Sequence, residues 1–358
     1  MRETIPAVPL PHRDTGGVKR VALVLGSGGA RGYAHIGALQ VLNERGYEVT
    51  AIAGASMGAL VAGLHAAGKL GEYTDWATSL TPRDVRKLLD PVLPGPGLLR
   101  LDRVLSRMSE MLEGALIEDL PIPFTAVATD IGAGREVWFT SGPLEVAIRA
   151  SVGIPGLITP IVVNGRLLVD GGVINPVPME PVIGADADFT MAVTLSGPKD
   201  HSEIRTPARE SAAQRPVNEW LDRFMKGATG VWENDFMTSI MARFAKGEDA
   251  EPSGPGFEQP PPGLGIADVT TMSLDTMSAL ITRFRLAALP PDVLVTVPGD
   301  AAKVTDFHRA DELIELGRKL TEQALDAALG AGPAAFELTG GMPAEGAAVE
   351  APPAVSQS

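Results

Sequence analysis

A serine flanked by glycines in the pattern G-x-S-x-G stands at Gly54-Ala55-Ser56-Met57-Gly58. A serine hydroxyl is a weak nucleophile until a neighbouring base takes its proton and the backbone presents it to the substrate. The apolar run at 49–53 predicts a buried strand, and the small aliphatic run at 59–64 predicts a packed helix. A sharp turn between the two would strain the backbone at Ser56 and push its hydroxyl out of the sheet. Glycines two before and two after would let neighbouring backbone pack close. The competing reading is a Gly/Ala-rich stretch in which a small serine merely fits a tight helix–strand contact.

A second motif lies upstream. The β-type run 21–25 ends in Gly26-Ser27-Gly28-Gly29-Ala30-Arg31-Gly32, and residues 34–44 continue with helical spacing at Ile36, Leu39, Val41 and Leu42. Strand, glycine loop and helix together form an anion-binding arrangement, with loop N–H groups and a helix N-terminus aimed at one spot. A dinucleotide fingerprint would need glycine where Arg31 stands, and a P-loop would need G-K-[ST] at the end of the loop. The third reading is an oxyanion hole, in which free N–H groups of Gly28 and Gly29 await a developing negative charge. A plain tight turn is the fourth. Position separates them: the loop closes the first strand and Ser56 closes the second. Two consecutive right-handed crossovers put both strand ends on one edge of a parallel sheet.

The carboxylate that could serve Ser56 is Asp170, in Asp170-Gly171-Gly172. Residues 161–169 predict a hairpin through their Asn164-Gly165 turn, which delivers Asp170 at its end. By itself that triplet reads more readily as a capped turn. In the same sheet as the elbow, it can reach Ser56 and act as its base. The elements that position these groups are a strand at 124–129 ending at Asp130, a hairpin partner at 136–140, and a short helix at 144–151. A breaker follows at Ile154-Pro155-Gly156. Further along come a strand at 189–195, a helix at 272–289, a last strand at 292–297 and a closing helix at 309–329. Between 72 and 113 the pattern is helical and interrupted, with Thr81-Pro82 as a helix start and 91–97 as a loop.

Taken together, Gly26-x-Gly28-Gly29-x-Arg31-Gly32, Gly54-x-Ser56-x-Gly58 and Asp170-Gly171-Gly172 resemble the patatin-like phospholipase family, its bacterial members in particular. The order, the spacing and the Arg149-Ala150-Ser151 … Ile154-Pro155 segment all fit. The resemblance covers about residues 18–197, with a similar strand–helix ending near 290–325. It implies a three-layer α/β/α fold with a mostly parallel central sheet and an inserted helical segment. It also implies a Ser–Asp dyad, with Ser56 as nucleophile and Asp170 as base, and an oxyanion hole from the amides of Gly28, Gly29, Ala30 and Arg31. Ser27 departs from the third consecutive glycine that many members carry. The substrates implied are acyl esters of phospholipids or lysophospholipids, with no cofactor and no metal.

Composition limits the alternatives. At 358 residues and 45% hydrophobic, the chain can bury a large core. A formal net charge of −14 argues against a nucleic-acid partner and against broad attachment to anionic lipid. Without cysteine, disulfides, thiolate catalysis and Cys-ligated zinc are excluded. The first residues lack an apolar signal core, so the expected location is cytoplasmic, with a peripheral contact to the inner face of the membrane as an addition. That contact would run through 217–246, where Trp220, Phe224, Trp232, Phe236 and Phe244 cluster. A helix hairpin packed on the core is the competing account of the same cluster.

The expected organisation is a flexible arm at 1–17, a catalytic domain at 18–329 and a disordered tail at 330–358. The domain would carry a helical insertion and Pro/Gly-rich linker at 198–265. A Ser-His-Asp hydrolase completed by His201 or His308 is the rival enzyme, although Ser56 follows too few βα units for that fold. His35 and His65 read as packed or capping residues. Arg31 reads either as a salt bridge ordering its loop or as a contact to substrate phosphate. A non-catalytic lipid-binding or regulatory protein on the same fold is the remaining alternative, and a nucleotide-binding α/β protein a third.

Overall fold

The computed structural model describes residues 18–88, 97–198 and 266–330. The arm at 1–17, residues 199–265 of the expected insertion with the aromatic cluster, and the tail from 331 lie outside the described residues. A central eight-stranded sheet has the order β10-β9-β1-β2-β4-β8-β7, with β5 paired to β4. Its parallel strands are β1 (Arg20–Leu25), β2 (Glu48–Ala55), β4 (Phe124–Asp130), β9 (Phe189–Gly197) and β10 (Val293–Pro298). Three antiparallel strands complete it: β5 (Arg135–Phe139), β7 (Ile161–Val163) and β8 (Arg166–Asp170).

The sheet is covered on both faces, which explains its apolar strands. Successive side chains of a strand point to opposite faces. Val21, Leu23 and Leu25 of β1 accordingly join one core with α1 (Tyr33–Glu44), α2 (Met57–Ala66), α6 (Leu144–Ser151) and α8 (Ala310–Gly330). Ala22 and Val24 face the other way, onto Val177, Met179 and Val182, with Leu286 of α7 (Ile266–Ala288) packed alongside. Helix, sheet, helix: the three layers expected from the resemblance are present.

Local signals explain the boundaries. α4 (Pro82–Leu88) starts with a capping box: the Thr81 Oγ1 accepts from the Asp84 N–H (3.3 Å) while Asp84 accepts from the Thr81 N–H (3.3 Å). The β7–β8 turn places Asn164 and Gly165 at φ 51° and 75°, the pair of left-handed residues that a type I′ hairpin needs. α3 (Leu70–Thr78) and α5 (Asp102–Leu112) account for the rest of the interrupted helical region.

Two expectations need correcting. Gly97, read as the end of a loop, opens β3 (Gly97–Leu99), and Gly156, read as part of a breaker, opens β6 (Gly156–Ile158). The two pair in parallel as a separate small sheet. Strands of three residues are too short to show an alternating pattern. The helix before β10 begins at Ile266, ahead of the expected Met272, because the Pro/Gly-rich run that suggested a linker stops short of it.

Candidate active site

Strand register brings Ser56 and Asp170 together. β2 pairs along one edge of β4 only as far as Ala55, opposite Val127. β5 occupies the other edge of β4, from Ala126 to Asp130. The edge that β2 leaves is taken up at once by β8 running the opposite way, with Asp170 opposite Ala128. The end of β8 therefore meets the end of β2, and the Ser56 Oγ donates a hydrogen bond to the Asp170 Oδ2.

Ser56 has φ 56° and ψ −126°, outside the regions open to residues with a side chain. Such a conformation costs about 1–3 kcal/mol and persists only where the surroundings impose it. Here α2 presses against the end of β1: a Cβ at Gly58 would sit 2.0 Å from the Leu25 carbonyl oxygen, and one at Gly54 would sit 2.4 Å from the Gly58 backbone. No other residue type fits either place. The turn also needs its own N–H satisfied in a site where Ser56 is 3% exposed. The Ser151 Oγ accepts from the Ser56 N–H (2.8 Å) and donates to the Val127 carbonyl (2.6 Å). Ser56 directly precedes α2, so its hydroxyl sits at the positive end of that helix.

Asp170 is 5% exposed. Burial pushes its carboxyl up to about 6, against the pull of the Ser56 hydroxyl and the Gly172 N–H, which donates to Oδ1 (2.7 Å). A carboxylate raised in this way is a stronger base than an exposed one and is still mostly ionised at neutral pH. Its backbone is pinned on both sides: the Asp170 N–H donates to the Gly153 carbonyl (2.9 Å), and the Thr129 hydroxyl donates to the Asp170 carbonyl (2.9 Å).

The glycine loop lies against the same corner, since a Cβ at Gly172 would be 2.3 Å from the Ser27 Oγ. Its amides divide into two groups. Gly26 donates to the Val193 carbonyl (2.9 Å) and Ser27 to the Pro176 carbonyl (2.8 Å), fixing the loop to β9 and to the segment after Asp170. Among the described residues the N–H groups of Gly28 and Gly29 have no hydrogen-bond partner. Ala30 corrects the expectation of a four-amide hole. The Ala30 N–H is committed to the Val304 carbonyl (3.0 Å), while Arg31 lies within the 3-10 turn Gly29–Gly32.

Arg31 acts on the loop through its side chain. Its Nε donates to the Gly28 carbonyl (3.2 Å), its guanidinium donates to the Gly299 carbonyl, and Asp275 of α7 stands 3.8 Å away. The N–H of a trans peptide points opposite its carbonyl. Holding the Gly28 oxygen behind the loop therefore turns the Gly29 N–H to the other side. Buried and engaged three ways, Arg31 is placed to order the loop.

Among the described residues, histidine has no part in the cluster. His35 is fully buried, and its Nε2 donates to the Gly26 carbonyl (2.8 Å). Burial pushes it down to about 4, so it is neutral at physiological pH. His65 lies in the last turn of α2, away from Ser56. Among the described residues no histidine is bonded to Ser56 or Asp170; His201 lies outside them. Among the described residues, no helix is long and apolar enough to cross a membrane, and no group of three or more His, Asp or Glu is placed to hold a metal.

Two residues of this site carried no assigned role in the sequence, Ser151 and Asn175. Ser151 was visible only as part of the Arg149-Ala150-Ser151 segment. Asn175 sits in the stretch after Asp170-Gly171-Gly172 and is fully buried.

The structure thus sets a hydrogen-bonded Ser–Asp pair at a strand-to-helix elbow on a three-layer α/β fold. The chain belongs to the patatin-like phospholipase family, with residues 23–183 matching that family. It is 43% identical over 336 residues to an uncharacterized NTE family protein of Mycobacterium tuberculosis, covering 86% of this chain and 92% of the relative. It is 31% identical over 218 residues to the human patatin-like phospholipase domain-containing protein 6, which covers 57% of this chain and 15% of that much longer protein. Among solved structures, VipD of Legionella pneumophila aligns over 87% of this chain and 67% of its own, at 15% identity and a TM-score of 0.40. Membership supports lipid acyl hydrolase activity in general.

Proposed function

We propose that the protein is a serine acyl-ester hydrolase that uses Ser56 and Asp170 on phospholipid or lysophospholipid acyl esters. The observation that carries this reading is the hydrogen bond from the Ser56 hydroxyl, held on a strained elbow, to a buried carboxylate with a raised pKa. The lipid substrate class is supported by the family and by the names of its members.

In acylation Asp170 takes the Ser56 proton as Oγ attacks the ester carbonyl. The carbonyl oxygen gains negative charge, which the Gly28 and Gly29 N–H groups and the N-terminus of α2 stabilise. As the tetrahedral intermediate collapses, Asp170 returns the proton to the leaving alcohol and is ionised again. In deacylation Asp170 takes a proton from water, and the resulting hydroxide attacks the acyl-enzyme. Ser56 leaves with that proton, and the free fatty acid departs.

The test is fatty-acid release from mixed micelles of palmitoyl lysophosphatidylcholine and of dipalmitoyl phosphatidylcholine. Wild-type protein should release palmitate from at least one of them, and Ser56→Ala and Asp170→Asn should each lose about 10³-fold or more in kcat. Release that survives in Ser56→Ala would overturn the assignment. Saturable lipid binding by a folded wild type that releases nothing would favour a non-catalytic lipid-binding protein.

A further inference from the structure

Beside the base lies a closed ring of four side chains that the reaction does not use. Arg285 of α7 donates from one guanidinium nitrogen to the Glu180 Oε1 (2.6 Å) and from the other to the Glu136 Oε1 (2.5 Å). The Asn175 Nδ2 donates to the remaining oxygens of the same two carboxylates, the Glu136 Oε2 (3.0 Å) and the Glu180 Oε2 (3.1 Å). Trp138 adds an Nε1 donor to the Glu136 Oε2 (2.8 Å). Every carboxylate oxygen has a donor, and both Asn175 amide hydrogens have an acceptor. Four separate elements meet here: β5, the loop after β8, the turn Glu180–Val182, and α7.

The ring closes on the base through Asn175. Its backbone N–H donates to the Gly171 carbonyl (2.9 Å), and the next amide along, that of Gly172, donates to the Asp170 Oδ1 (2.7 Å). The Gly171 peptide is thus gripped from one side by Asn175 and reaches the carboxylate from the other. Asn175 is fully buried, so losing its acceptors would leave polar hydrogens stranded and press it to move. Arg285 keeps two carboxylates close together; without it they repel each other, and Asn175 alone cannot neutralise them. About three turns earlier on the same helix, Asp275 faces Arg31, which holds the Gly28 carbonyl of the oxyanion loop. α7 thus touches both halves of the site.

We propose that Asn175 and Arg285 are positioning residues for Asp170, the ring locking the Asp170–Gly172 turn in the geometry that receives the Ser56 proton. The inference rests on the Ser56–Asp170 hydrolase reading and adds to it what holds the base.

The experiment uses full-length protein as wild type, Arg285→Met, Arg285→Lys and Asn175→Ala, each shown to be folded by thermal unfolding. Two quantities are read: the rate of fluorophosphonate labelling, and backbone hydrogen exchange in a peptide covering 168–176. Arg285→Met and Asn175→Ala should label about 10- to 100-fold more slowly, as expected for a misplaced catalytic group. Exchange should rise in 168–176 and stay unchanged in β1. Arg285→Lys should recover part of the rate, since an ammonium keeps the charge and loses the two-pronged geometry. Wild-type labelling rates in folded Arg285→Met and Asn175→Ala would overturn the proposal, whatever exchange does. If Arg285→Met fails to fold, Arg285→Lys and Asn175→Ala decide by the same criteria. A wild type that neither labels nor turns over would sink the hydrolase reading separately. Exchange would then still judge the ring, a rise supporting its hold on the turn and no change refuting it.

Discussion

The elbow and the base loop meet in one hydrogen bond, yet they are held by opposite means. Ser56 is fixed mostly by neighbours in sequence. Gly54 and Gly58 allow close backbone approach, α2 begins at the next residue, and from far along the chain come the end of β1 against Gly58 and the Ser151 hydrogen bond. Asp170 is fixed almost wholly from a distance. Thr129, Gly153 and the edge of β4 hold its backbone, and the Asn175 ring reaches it from β5 and α7. The nucleophile's geometry is thus a local property and the base's is a tertiary one. Damage far from the site should reach catalysis through Asp170 more readily than through Ser56.

The comparison can be broken at its exception. Ser151→Ala removes the long-range hydrogen bond that supports the elbow, leaving the Ser56 N–H buried without an acceptor and the Val127 carbonyl without its donor. The expected loss is about 1–3 kcal/mol of stability, measured by denaturant unfolding. Because a looser elbow misplaces the attacking oxygen, kcat should fall by about tenfold or more with KM little changed. An unchanged kcat would mean that the glycines alone impose the turn, and the contrast drawn here would be sharper than stated.

A smaller effect separates the two regions by pH. The Asp170 carboxyl lies at about 6 in the folded protein, above the ordinary carboxylate value of 3.8. Between those values the native state binds the proton more tightly than the unfolded chain does. Stability from this group is therefore fully present below about 4, falls as pH rises through about 6, and is level above that. Asp170→Asn, which has no charge to bury, should gain on the order of 1–3 kcal/mol over wild type at pH 8 and nearly nothing at pH 4. Thermal unfolding at the two pH values checks it. The kcat/KM of the wild type should rise with an acid limb near the same pH, because Asp170 accepts a proton only when ionised. Ser56→Ala keeps the carboxylate and should retain the pH dependence of stability.

This division also explains what was legible in the sequence. β1, β2, the helix Leu144–Ser151 and the Asn164-Gly165 hairpin follow from apolar runs and turn chemistry, and all were readable. So was the pairing of an elbow with a glycine loop on one sheet edge, since it needs only two consecutive βα units. The division of labour among the loop amides was not. Whether the Ala30 N–H is free depends on Val304, which arrives from another part of the chain. Arg31 left two readings open because its partners, Gly299 and Asp275, are equally remote. Asn175 and Arg285 carry no local signature at all, and Ser151 only its place in the Arg149-Ala150-Ser151 segment. Each is a common residue type that gains a role only when strands and helices distant in sequence are brought together.

The most direct test is fluorophosphonate labelling of wild type, Ser56→Ala and Asp170→Asn, with the modified residue located by peptide mass spectrometry. The account predicts a single adduct on Ser56 in the wild type, none in Ser56→Ala and a rate reduced by orders of magnitude in Asp170→Asn. Wild-type labelling rates in a folded Asp170→Asn, or an adduct on any other serine, would contradict it.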